Sequence, residues 1–276
     1  MAPFSPQSAL TQESSKGVVT GAWKVGGNGD FRSRHEGSQH KCCGGELRGL
    51  SHVFDGVPQC LEAVRDQIHR DAYFIKIMCV YTPEDDIRVI GTTAGYPGKY
   101  VTSHAYTPQA IRHSVDNGVR DIEHGNFVDL KTAAFLKEKG VVVIPTLACG
   151  LELLKALHEA DINICHGSDL RRVLHPLQSS ELNIQSKVLP AGNILKSTST
   201  DAAAYLGMSD RLGQIKQGAF ADFIVLTGNP LENITVLDNT TASLLAVVKA
   251  GRAVASKMES AVRDASYRVF KLGDES

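Results

Sequence analysis

The stretch that most restricts the fold is residues 99–126, KYVTSHAYTPQAIRHSVDNGVRDIEHGN. The apolar pair Tyr100-Val101 leads to His104, and Thr107-Pro108 reads as an N-cap followed by proline at the first helical position. Ile111 and Val115 share one helix face, and Gly118 ends the helix. A second apolar run, 119–122, delivers His124. Each histidine thus stands at the carboxyl end of a strand, one βα unit apart. In a closed parallel barrel those ends share one face, where enzymes of that shape keep their chemistry. Two imidazoles arriving there together have the character of metal ligands.

The same alternation extends in both directions. Leu61, Val64 and Ile68 fall at helical spacing and precede a strand over 73–78, YFIKIM. Thr82-Pro83 opens a helix with Ile87, Ile90 and Ala94 on one side. Asp129 caps a helix that ends at Gly140, and 141–148, VVVIPTLA, is a nearly all-apolar strand. Leu151, Leu154 and Leu157 mark another helix, and 162–165 the next strand, ending in HGSD at 166–169. Strands buried on both faces read as continuous apolar runs, so this alternation predicts an α/β fold with a parallel sheet.

The two ends differ from this middle. Residues 18–23, VVTGAW, suit a strand, and a glycine-rich polar loop follows, carrying His35, His40, Cys42 and Cys43 in no familiar zinc spacing. After Leu170 the chain turns helical, with Ser199 or Thr200 capping DAAAYLG. Short β-rich runs then alternate with turns at Gly213, Gly218 and Asn229-Pro230, and a hairpin closes around 249–252. The expected organisation is a mostly looped segment 1–50, a partial barrel 51–207 and a β-rich subdomain 208–276.

Composition narrows the partners. A net charge of −1 gives no electrostatic reason for nucleic acid or an anionic membrane, and no apolar run approaches a membrane span. The N-terminus lacks the basic start and apolar middle of a secretion signal, and Cys42, Cys43, Cys60, Cys79, Cys149 and Cys165 show no paired spacing. A reducing, cytoplasmic compartment is the expectation. Sequons at Asn233 and Asn239 are of a kind common by chance.

Four groups stand at or just after strand ends: Lys76, His104, His124 and Asp169. Alone, Lys76 reads as a side chain that snorkels to the mouth or pairs with a carboxylate, each histidine as a hydrogen-bonded rim residue, and Asp169 as a helix N-cap. Together, in register at successive strand ends, they read as a site. Around them the segments FIKIM, VTSHAYTPQAI, GVRDIEHGN, HGSD, LHPLQ and LGQIKQGAFADFIVLTGNPLENI follow in an order that resembles the amidohydrolase superfamily, in its imidazolonepropionase-like and prolidase-like (ochratoxinase-like) branch. The resemblance covers most of the chain after about residue 26. It implies a TIM-type (β/α)8 barrel with a small β-sandwich, and hydrolysis of C–N bonds in a dipeptide, N-acyl amino acid or cyclic amide by metal-activated hydroxide. It further implies a carbamylated Lys76 bridging two divalent ions, zinc first among the candidates, with His104 and His124 on one ion. Asp169 would bind the other, act as base and serve the leaving amine as acid. Tyr106 is expected to contact substrate.

Departures from the pattern are equally specific. No His-x-His, the family's first-strand ligand pair, occurs in these 276 residues. After allowance for the tail beyond Gly207, room remains for about six βα units, strands three to eight by resemblance. An incomplete barrel with unpaired edges is expected to be impaired in activity, or to pair with a second copy as a homo-oligomer. Three readings follow: a working hydrolase, a catalytically inactive fragment of the same family, and an unrelated α/β binding protein with structural histidines.

Overall fold

The computed structural model describes residues 18–19, 56–69, 72–79, 82–146, 150–169, 176–257 and 270–271. The glycine-rich loop with its histidines and cysteines lies outside these residues, as do Cys149, Ala148 and the Leu174-His175 part of LHPLQ. The chain divides into two compact units, with the division between Asn163 and Ile164.

In the first unit, strands β1 (Val18–Val19), β2 (Phe74–Met78), β3 (Tyr100–Ala105), β4 (Asp121–His124) and β5 (Val142–Ile144) form one parallel sheet in sequential order. Helices α1 (Gly56–His69), α2 (Glu84–Gly95), α3 (Pro108–Asp116), α4 (Leu130–Glu138) and α5 (Leu151–Glu159) alternate with them. The fold is therefore α/β with a parallel sheet, as the apolar runs require. The inner helix faces supply Ile87, Ile90, Ile111, Leu136 and Leu157, all fully buried together with Ile75, Ile77 and Ile122 from the strands.

The expected caps are present: Thr107 Oγ1 accepts from Ala110 N at 3.2 Å, and Asp129 Oδ1 accepts from Thr132 N at 2.7 Å. Those hydrogen bonds from Thr132 hold the Asp129 carboxyl below the ordinary carboxylate range. The strands, however, start later than the apolar runs suggest. Val119 N donates to Ser114 O at 3.1 Å and Gly118 N to Val115 O at 3.1 Å, the paired bonds of a Schellman closure with Gly118 at φ 96°. Val141 closes α4 in the same way onto Leu136 O, and Ile162 closes α5 onto Leu157 O with Asp161 in the left-handed position. These three apolar residues end helices, so β4 begins at Asp121, β5 at Val142, and only Ile164 within 162–165 makes a strand-like bridge.

The second unit carries α6 (Ser180–Gln185), α7 (Ala191–Thr198) and α8 (Thr200–Tyr205), then β6 (Phe223–Leu226), α9 (Thr240–Ser243), β7 (Leu244–Lys249), β8 (Arg252–Ser256) and β9 (Phe270–Lys271). Its four strands lie in the order β6-β7-β8-β9, antiparallel except for the last pair. Ala250 and Gly251, at φ 50° and 76°, make the expected hairpin turn between Lys249 and Arg252. Ser199 precedes α8 without capping it, because its hydroxyl turns back to Leu195 O. The same corner explains Gly213, which sits at φ 81° where a Cβ would lie 2.6 Å from Ser199 O.

Candidate active site

Strand pairing decides which side chains meet. Lys76 is the register partner of Thr102, Thr102 of Asp121, and His104 of Glu123. Partners in parallel strands face the same side, so Lys76, Thr102, His104 and Glu123 share one face of the sheet. Lys76 is 4% exposed and Glu123 not at all. The Lys76 ammonium donates to Glu123 Oε2, and Thr102 Oγ1 donates to Glu123 Oε1 at 3.1 Å. A lysine in an apolar strand is tolerated because a buried carboxylate stands on the second strand over.

His124 reaches the same face by a different device. Strict alternation would send it with Ile122 to the helix side. Its backbone instead takes φ 72°, a left-handed conformation uncommon outside glycine, at the last residue of β4. The ring is thereby brought to His104, with His124 Nε2 2.7 Å from His104 Nδ1, while His124 Nδ1 is hydrogen-bonded to Thr146 Oγ1 at 2.9 Å. Tyr106 completes an aromatic cluster, edge-on to His104 with centroids 4.5 Å apart and 5.2 Å from His124. Gly125 N donates to Ala105 O and Phe127 N to Tyr106 O, both at 3.0 Å, which lashes the loop after β4 to the end of β3.

Among the sequence candidates of the first unit, His104, His124 and Tyr106 are therefore in mutual contact, and Lys76 lies two residues deeper along the sheet, held by Glu123. Asp169 belongs to the second unit, half-buried and with φ 51°. Three residues before it, His166 is 2% exposed and neither ring nitrogen has a hydrogen-bond partner. Burial pushes that imidazole down from 6.5 to about 4. Sequence reasoning missed Glu123, Thr102 and Thr146. The signal for Glu123 was the buried lysine itself, which demands a carboxylate on a neighbouring strand.

The model of the amidohydrolase family matches residues 36–254. The chain belongs to the amidohydrolase family. Ochratoxinase of Aspergillus niger is 26% identical over an alignment of 235 positions that covers 69% of this chain and 48% of that protein. The chain thus spans about half the length of the curated amidohydrolase relatives it matches. A crystal structure of an amidohydrolase superposes with a TM-score of 0.75 at 32% identity, covering 88% of this chain and 68% of the other. A prolidase crystallised with N-methylphosphonate-L-proline gives 0.74 at 35% identity, covering 87% and 68%.

Amidohydrolases generally use divalent metals, so the fit of such an ion is a question for this geometry. Among the described residues no group of three or more His, Cys, Asp or Glu is arranged to hold one. Two imidazoles on adjacent strands are suitable donors. A tetrahedral ion at about 2.0–2.1 Å keeps its nitrogen ligands about 3.3 Å apart, whereas the 2.7 Å between His104 and His124 is a hydrogen-bond distance. A few tenths of an ångström of movement by each ring would convert one spacing into the other. The imidazole pair therefore fits as two ligands of one ion. Lys76, as arranged, fits as the ammonium of an ion pair. A carbamate there would set a second negative charge against Glu123.

Proposed function

We propose that this chain is a metal-dependent hydrolase of amide or peptide-like C–N bonds, acting on dipeptides, N-acyl amino acids or cyclic amides, with activity impaired relative to longer relatives. The observation that carries the reading is the His104–His124 contact at the carboxyl ends of adjacent parallel strands, made through an unusual backbone conformation at His124. A strained residue of that kind persists where the surrounding structure fixes it, and such residues gather at functional sites. The ligand named in the prolidase relative's crystal supports the substrate class.

In this reading His104 and His124 hold a divalent ion, zinc first, on the partial barrel formed by the parallel sheet. Bound there, such an ion polarises a carbonyl and lowers the pKa of water to about 7. Thr146 fixes the tautomer of His124 by holding Nδ1, as outer partners of ligand histidines commonly do. Lys76 and Glu123 lock β2 to β4 beneath the pair and Tyr106 orients substrate, while Asp169, in the second unit, keeps the acid–base role that the family resemblance implies for it. The impairment follows from the donor count: no His-x-His is available in these 276 residues to add further nitrogens.

Metal analysis of the purified protein tests this directly. Wild type is expected to retain close to one divalent ion per chain, and His104→Ala or His124→Ala to lose it; equal content in all three would sink the reading. A second reading, a family member that binds without turnover, is favoured by the lack of any His-x-His pair in these 276 residues. It predicts ligand binding with no amine release across an N-acyl amino acid panel.

A further inference from the structure

Phe127 and Leu130 are 65% and 77% exposed, although both are large and apolar. Apolar residues scattered singly over a surface need no explanation. These two stand three residues apart, Phe127 on the loop that leaves His124 and Leu130 at the first position of α4, at the carboxyl end of the sheet, where loops of parallel α/β proteins read ligands. The loop is pinned there. Phe127 N donates to Tyr106 O at 3.0 Å, Val128 N to Gly125 O at 3.0 Å, and Asp129 caps α4 through Thr132. The backbone under Phe127 is thus fixed directly against Tyr106, whose ring touches both imidazoles. A rigid backbone carrying an uncovered phenyl and an isobutyl group beside a polar centre has the construction of a specificity wall: polar groups fix the amide, and apolar side chains select what is attached to it.

We infer that Phe127, with Leu130 beside it, selects substrates bearing an aromatic or large aliphatic group next to the amide carbon–nitrogen bond. The inference rests on the site proposed above and names its substrate class more narrowly. An aromatic contact of this kind adds roughly threefold to tenfold in affinity.

The test uses ligand-detected NMR titration of the full chain with N-acetyl-L-phenylalanine and N-acetylglycine, in spectra that also record any acetate released. Wild type is expected to bind the phenylalanine compound about threefold to tenfold more tightly than the glycine compound. In the Phe127→Ser/Leu130→Ser double variant that ratio is expected to fall to near one, and Phe127→Tyr to retain it. In His104→Ala both compounds are expected to weaken by a similar factor. An unchanged ratio in the double variant overturns the specificity role, and leaves the site reading standing if His104→Ala still weakens both. Binding of neither compound by wild type overturns both proposals. Sedimentation showing a wild-type dimer that the double variant dissociates also overturns the inference, since the two side chains would then cover a second copy.

Discussion

Glu123 is a fully buried carboxylate, and its neighbour Lys76 a buried ammonium, on strands separated by β3. Two desolvated charges stabilise each other only while both are present. Glu123→Gln is expected to destabilise the fold by about 3–5 kcal/mol, and the Lys76→Met/Glu123→Leu pair to recover most of that loss, read as urea unfolding midpoints. This pairing was only half legible in the sequence. A lysine inside FIKIM signals either snorkelling or a partner, but a glutamate beside a histidine in DIEHG looks like the solvent side of a strand. Register, which the letters do not carry, puts it inside. His166 makes a second prediction at this scale. Its folded pKa lies near 4 against 6.5 for an exposed histidine, so the unfolded chain takes up the proton first as pH falls. Its contribution is fully present above 6.5 and drains away towards about 4, by about 3 kcal/mol in all. Thermal melts of His166→Leu are expected to show a flatter acid limb than wild type.

The helix ends make their own case among the elements. Gly118 adopts φ 96° with nothing within 4 Å of a would-be Cβ, so Gly118→Ala adds no clash and costs only the conformational term, about 1 kcal/mol. Gly213→Ala meets Ser199 O in addition and is expected to cost more, about 2–4 kcal/mol. Differential scanning calorimetry of the two variants separates the effects. The same closures explain where the sequence misled. Helix periods, caps and glycine stops were readable because they are local. Val119, Val141 and Ile162 read as strand residues because an apolar residue after a glycine-like stop looks the same whether it begins a strand or seals the helix before it. Only the backbone bond to the third residue from the helix end distinguishes the two.

Across the whole molecule, βα alternation and family membership were visible in the order of motifs, and no helix among the described residues is long and apolar enough to cross a membrane. Cysteine chemistry follows from the distribution of burial. Cys60, Cys79 and Cys165 are buried in the interior, and desolvation raises the Cys79 thiol to about 11 despite hydrogen bonds from Ser103 and Ser114. Iodoacetamide in neutral buffer is expected to leave these three unmodified in the native protein and to modify them in urea, with peptide mass spectrometry as the readout. Early modification of Cys79 would mean that the sheet opens on the labelling timescale.

The left-handed turn of the backbone at His124 also bears on redesign. Because β4 spends its last step rotating back on itself, consecutive residues of one strand, an acid and an imidazole, turn to the same side of the sheet. A library that varies every second position to reshape the interior would skip one of them. A single-residue insertion upstream would carry the acid on to the imidazole's place, put Ile122 where the acid stood and leave the amine beneath without its counter-ion.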